Sequence, residues 1–489
     1  MNFLSPLRKL YAILVAGVFQ PWTVLVSACC IVSFVLQASY LPEAVFVESD
    51  EGDYLYAARM VAHGKVPYLD FVYLHPPGLL YTLAGGYAIF GELSLLRYSY
   101  LAINIIAGFL LYLLARRVLR SDWAGFLSSF FYLTFFRLFH HDGRFIAHRP
   151  FTSSIIILYL FVLLNCEQRR WRPYVLTLLF AYIAVLSYQA ALIAGLFTAA
   201  WAAQRRLETS VTWRLWFRET FPVALALAIG ASVSLAFLLA IPGAWEQTIS
   251  EHLKFKSVPF EYRIWSLHHS NGYDFYPFVL GVAGLVIGIF TRNSARVYCA
   301  ASLLSIATVL LPNEFFQHYY NLVVGPLMLG VGVFFLNFSA VLTRIDSAVA
   351  SAGVTLLLIA QMQKVGPSLF KEWTSNRNEQ HRHLVEVLKK KPEPFLTFIN
   401  PIYAFEADKE MTPHPYVVTM RLLRMTGNRY SDDFYKQLIS SACTILLTPA
   451  DKKFLQPTGV LDWIGANPRV PLPNGIEVLL NQAPTCLTK

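Results

Sequence analysis

Residues 48–91 read ESDEGDYLYAARMVAHGKVPYLDFVYLHPPGLLYTLAGGYAIFG, a carboxylate-rich stretch that directly follows an apolar segment long enough to cross a bilayer. If Ser49 or Asp50 begins a helix, Asp50 and Asp53 stand one turn apart on one face, with Glu51 about 100° round, so that acidic groups converge on one ligand. A second reading of the same residues is capping. With Asp50 as N-cap and Asp53 as third helical residue, the pair satisfies backbone N–H groups that the helix leaves open and suits its dipole.

Outward from this stretch the chain is too apolar for a water-soluble protein. Hydrophobic residues make up 56% and charged residues only 14% of the 489 positions, whereas soluble domains are nearer a quarter charged. Eleven spans follow from runs that cross a core of about 30 Å at 1.5 Å per residue: 20–38, 97–115, 123–140, 151–166, 173–187, 190–204, 220–241, 277–291, 297–311, 322–341 and 347–363. The first is read as an anchor that stays, not as a cleaved leader. Residues 78–90 are too few to cross and are read as an interfacial or re-entrant helix. Tyr188-Gln189 separates two short spans that suit a helical hairpin.

Alternate loops carry arginine: Arg116, Arg117 and Arg120; Arg169, Arg170 and Arg172; Arg205, Arg206, Arg214 and Arg218; Arg292 and Arg296; and Arg344. By the positive-inside rule these face the cytoplasm, which puts Asp50 outside. The net charge of +10 is thereby an orientation signal and not a nucleic-acid footprint. The outer side then collects RLFHHDGRFIAHRP (137–150), a polar loop from Pro242 to Tyr276, and PNEFFQHYYN (312–321). Polar and aromatic groups at this depth serve as headgroup anchors or as a site.

Charge density changes near Gly366: 27 of the 124 residues from there on are charged, against 43 of the preceding 365. The chain therefore reads as a transmembrane domain, 1–365, whose first outer loop, 41–96, carries the active site, and a soluble domain, 366–489. A helix at 379–390 and strand-like runs at 394–399, 443–448 and 476–480 make the latter a small α/β domain. Six cysteines form no disulfide framework and no zinc spacing. Cys443 and Cys486 can pair if the tail is oxidised, although Cys443 fits a buried strand position equally well.

The ordered series Asp50-Glu51-Gly52, Tyr54, Ala57-Ala58-Arg59, Gly64, Pro67-Tyr68, Asp70-Phe71, His75-Pro76-Pro77-Gly78 and Phe90-Gly91 resembles the first extracytoplasmic loop of the polyprenyl-phosphate-sugar-dependent glycosyltransferases of the GT-C fold. These are the protein mannosyltransferase and aminoarabinose transferase group, glycosyltransferase family 39/83-like. The resemblance implies an all-α polytopic membrane protein with about eleven transmembrane helices and the small C-terminal α/β domain. It implies that Asp50 matches the catalytic carboxylate, with Glu51 and Asp53 beside it.

Sugar transfer from a polyprenyl phosphate needs a base at the acceptor and cations or a metal at the departing phosphate. It needs no second acid on the leaving group, unlike glycoside hydrolysis. The expected activity moves a hexose or pentose from a polyprenyl-phosphate sugar donor to a lipid, polysaccharide or protein acceptor, with Asp50 as general base and inversion at the anomeric carbon. The donor-phosphate candidates are His75, Arg144, Arg149, His318 and Tyr319.

Relatives often place Lys where this sequence has His75, whose charge depends on pH, and an acidic residue where Phe151 follows Arg149-Pro150. Metal dependence is accordingly open, with His140, His141 and Asp142 as candidate ligands of a divalent ion. The alternatives are a lipid-linked-glycan flippase or transporter, which would carry ionisable or broken-helix sites at mid-membrane depth, and a non-catalytic scaffold for the soluble domain.

The only N-x-S/T triplet, Asn337-Phe338-Ser339, falls inside a span, which favours a bacterial plasma (inner) membrane, with Asp50 and the tail on the periplasmic face. Reporter fusions at Asn400 and Arg206 should therefore report opposite compartments, and the same compartment for both would overturn this topology.

Overall fold

The computed structural model describes residues 21–39, 49–135, 146–167, 169–208, 212–250, 259, 261, 275–291, 295–310, 317–342, 377–397, 402–411, 432–456, 460–464, 469–471, 475–480 and 486. Helices occupy ten of the eleven expected spans: Pro21–Ala38, Leu93–Leu119, Asp122–Leu133, His148–Asn165, Arg172–Leu186, Tyr188–Glu208, Trp213–Ala240, Phe275–Phe290, Ala295–Leu310 and Val324–Leu342. The eleventh, 347–363, lies outside the described residues. Five of the described helical stretches are long and apolar enough to cross a membrane unaided: Pro21–Ala38, Leu93–Leu119, His148–Asn165, Trp213–Ala240 and Tyr319–Phe338.

Two boundaries differ from expectation. The third helix ends at Leu133, with the Thr134 N–H donating to the Phe130 carbonyl, instead of running to 140. The hairpin break falls at extended Ser187 and not at Tyr188-Gln189. Gly78–Phe90 is helical for 13 residues, about 20 Å and short of a bilayer core. It stops at left-handed Gly91, whose N–H bonds the Tyr87 carbonyl at 2.8 Å.

The chain divides into two compact units. The first comprises Met1–Pro42, Arg97–Leu235 and Val258–Trp373; the second gathers Glu43–Leu96, Ala236–Ser257 and Thr374–Lys489. The tail that charge density separates near Gly366 thus shares its unit with Glu43–Leu96 and the short piece Ala236–Ser257.

In the first unit, the loops rich in arginine meet. Arg117 pairs with Glu167 at 2.9 Å, and the Trp201 indole donates to the same carboxylate at 2.8 Å. Arg172 lies over the Trp201 ring, and Arg205 pairs with Glu219 at 2.9 Å. Three of the five basic loops therefore share one end of this bundle.

Elsewhere in the unit, Phe275–Phe290 and Val324–Leu342 approach so closely that a Cβ at Gly284 would fall 1.9 Å from the Gly330 carbonyl oxygen, and one at Gly330 would fall 2.1 Å from that of Gly281. Without water to drive association, small residues that let backbones touch are what hold membrane helices together.

In the second unit, labels follow chain order: α1 is Ser49–Ala62, α2 Gly78–Phe90, α3 Arg377–Lys389 and α4 Ile402–Glu406. Four strands form one sheet, β1 (Phe395–Leu396), β2 (Thr444–Leu447), β3 (Arg469–Pro471) and β4 (Glu477–Leu480), in the order β1-β2-β4-β3. β1 runs parallel to β2, and the other pairs are antiparallel. β3 was not expected: Pro468 before it and Pro471 at its third position hide so short a run from any period-2 pattern. Leu396, Tyr435, Ile439, Ile445, Leu447 and Leu479 form the core beneath the sheet. Cys443 and Cys486 are disulfide-bonded across 43 residues, a closure worth about 4 kcal/mol by loop entropy.

The two glycine environments predict opposite outcomes. Gly330→Ala should destabilise the bundle by about 1–3 kcal/mol through overpacking. Gly195→Ala, where a Cβ meets nothing within 4 Å inside a helix, should be neutral or stabilise by about 0.5–1 kcal/mol. Thermal unfolding of the purified full chain in detergent measures both.

Candidate active site

α1 begins at Ser49, so Asp50 and Asp53 are its second and fifth residues, not the N-cap and third residue that the capping reading requires. Between the acids, Gly52 lies against the tail: a Cβ there would sit 2.4 Å from the Ile402 nitrogen and 3.0 Å from its Cα. Only glycine lets the first turn of α1 settle on the start of α4. That contact turns its neighbours inward, and Glu51 is 0% and Asp53 2% exposed. Neither residue is without partners. Asp53 is near enough to Tyr73 that, after burial itself, its charge helps push that hydroxyl far above the ordinary tyrosine range.

His75 is half-buried in an aromatic frame. Its ring meets Tyr54 edge-on at 5.5 Å and Tyr73 at 5.9 Å, and the Tyr68 hydroxyl donates to its carbonyl at 2.7 Å. Gln247 ties this loop from the other side, accepting from the Tyr73 N–H at 3.0 Å and donating to the Tyr68 carbonyl at 2.8 Å. Gln247 can come this close because Gly243, at φ +79°, takes a left-handed turn beside Tyr68.

Further along α1, buried Arg59 donates to the carbonyls of Phe405 and Lys409 and pairs with Asp408 at 3.0 Å. The Tyr56 hydroxyl accepts from the Met411 N–H at 2.7 Å. Sequence reasoning placed Arg59 in a motif without a partner and did not single out Gln247 or Tyr73. Their partners lie 174 to 350 residues away in the chain, beyond the reach of any local pattern.

The first unit brings together two of the donor-phosphate candidates. Arg149, in the first turn of His148–Asn165, stacks its guanidinium 3.5 Å over the ring centroid of Tyr319, which sits in the 3₁₀ turn Gln317–Val323. The Arg149 Nε is buried and has no hydrogen-bond partner among the described residues. Its neighbour His148 uses Nε2 on the Leu186 carbonyl and so serves as structure. Arg144, His140, His141 and Asp142 lie outside the described residues, as do the side chains of Asp50 and His318. No cluster of three metal-ligating side chains occurs among the described residues.

A family profile described as Dolichyl-phosphate-mannose-protein mannosyltransferase matches residues 74–239. Two crystal structures of ArnT from Cupriavidus metallidurans are similar to this chain, each with a TM-score of 0.62 at 14% identity. The apo structure covers 94% of this chain and 98% of its own, and the one bound to undecaprenyl phosphate covers 95% and 98%. No curated protein matches in sequence. Fold and profile together bear out the resemblance read from Asp50 to Gly91: the protein is a mostly helical GT-C-like membrane protein with a small C-terminal sheet, and its likeness is to polyprenyl-phosphate-sugar glycosyltransferases.

Gly52→Ala should cost about 1–3 kcal/mol by forcing α1 away from Ile402, whereas Gly85→Ala, with nothing within 4 Å of its Cβ, should not. Equal melting temperatures for the two variants would remove the packing role assigned to Gly52.

Proposed function

We propose that the protein transfers a sugar from a polyprenyl-phosphate donor to an acceptor on the extracytoplasmic face of a bacterial inner membrane, with Asp50 as general base. The observation that carries this reading is the first turn of α1. It carries Asp50 beside two further carboxylates, Glu51 and Asp53, that are drawn into the protein interior.

Asp50 takes the proton of the acceptor hydroxyl or amine as that atom attacks the anomeric carbon. The bond from that carbon to the phosphate oxygen breaks, and polyprenyl phosphate leaves with the electron pair. One-step displacement inverts the configuration, and negative charge accumulates on the phosphate. An ordinary aspartate is a weak base, and neighbouring negative charge is one of the means by which proteins strengthen such a group. Arg149, already paired with the Tyr319 ring and with Nε unused, supports a role at the departing phosphate, where cationic donors act most strongly.

The Cys443–Cys486 disulfide supports the extracytoplasmic placement, because such bonds persist in the periplasm and not in a reducing cytosol. The undecaprenyl phosphate held by ArnT supports the lipid class of the donor.

Asp50→Asn keeps the size and shape of the side chain and removes its charge. It should fold, bind undecaprenyl phosphate and lose about 10²–10⁴ in single-turnover transfer. Arg149→Ala should instead weaken undecaprenyl-phosphate binding by about 1.5–3 kcal/mol. Near-normal transfer by Asp50→Asn would move the search for the base to Glu51 and Asp142.

A further inference from the structure

Beyond the first turn, the opposite end of α1 borders a cavity of about 600 Å³ that the proposed chemistry does not use. Tyr56, Arg59, Met60 and His63 recur at the three- and four-residue spacing of one helix face, and the segments 393–394 and 408–411 of the tail close the other side. A volume of this size lies within the roughly 300–1,000 Å³ range of small-molecule sites.

The lining selects by chemistry. Four carboxylates, Asp70, Glu393, Asp408 and Glu410, face three permanent cations, Arg59, Lys65 and Lys409. Several are already matched: Arg59 with Asp408 at 3.0 Å, and Lys409 with Glu393 at 4.0 Å. A bare phosphate would meet four carboxylates and a metal ion three cations, so neither finds a favourable field. What remains is a surface of hydrogen-bond donors and acceptors of both kinds beside an apolar wall of Tyr56, Met60, Pro394 and Met411. A pyranose presents that combination, with hydroxyls at its edge and C–H groups on its face. The exposed Lys65 and Glu410 side chains are placed to donate to and accept from such hydroxyls.

We infer that this cavity binds a neutral saccharide, and that it is the subsite for the glycan portion of the acceptor. The assignment rests on the glycosyltransferase reading above and narrows the acceptor to a glycan-bearing molecule. Asp50 precedes Arg59 by nine residues, about 13 Å of helix rise, so the cavity holds a part of the acceptor remote from the accepting group.

The test uses the full chain in lipid nanodiscs and an immobilised panel of di- to hexasaccharides built from hexoses and N-acetylhexosamines. Undecaprenyl phosphate is measured separately as the donor-side probe. At least one oligosaccharide should bind, and Lys65→Ala/Glu410→Ala, two changes at exposed positions, should weaken it at least tenfold and leave undecaprenyl-phosphate binding unchanged. Absence of any saccharide binding, binding unaffected by the double substitution, or displacement by millimolar inorganic phosphate would overturn the assignment. Failure of the wild-type protein to bind undecaprenyl phosphate would instead count against the glycosyltransferase reading. Saccharide binding that still depends on Lys65 and Glu410 in that case would leave the cavity a glycan site.

Discussion

A buried guanidinium ties α1 to the tail within the second unit. Arg59 is 5% exposed, and its charge cannot be left without partners inside the protein. The pair with Asp408 looks like the main contact but is not, because the Asp408 side chain is 86% exposed and an ion pair with one end in water contributes about 0–1 kcal/mol. Hydrogen bonds from a charged donor to the Phe405 and Lys409 carbonyls are worth roughly 1.5–3 kcal/mol each. The Phe405 and Tyr56 rings cover the cation on its remaining sides. Everything that gives α1 its direction, including where its acidic first turn is held, depends on that attachment and on Gly52 at the other end of the helix.

The two ends of α1 work by different physics. At the first turn the constraint is steric and unforgiving, since backbone meets backbone at Ile402 and no side chain can yield. At the last turns it is electrostatic and hydrogen-bonded, with water reaching part of the network. The first turn is therefore fixed tightly, while the far end borders an open cavity with a charged rim.

The membrane part was legible because hydrophobicity is written locally. A run of about 20 apolar residues reports a helix whatever surrounds it, and the arginine loops announced a common end that the Arg117–Glu167 and Arg172–Trp201 contacts display. The tail was legible for the same reason at β2 and β4, where β-branched and leucine runs are buried. β3 was hidden by its prolines. The site was only half legible: the acids, His75, Arg149 and Tyr319 stood out by type and by resemblance, and the last two do meet. That Gly52 is a contact surface, or that Gln247 braces the His75 loop, depends on chain segments hundreds of positions apart, and no periodicity carries that information.

That separation also sets an order in time. The carbonyl that receives the Arg59 guanidinium at Lys409 follows it by 350 residues. At a synthesis rate of about 5–20 residues per second, roughly 20–70 s pass between the synthesis of α1 and that of its anchor. During that interval its acidic turn lacks the surface that shapes it, whereas Cys443 waits only the 43 residues to Cys486, about 2–9 s at the same rate. The second unit is thus completed only when its last-made segment appears, and a chain arrested short of the tail would insert its helices without ever completing that unit.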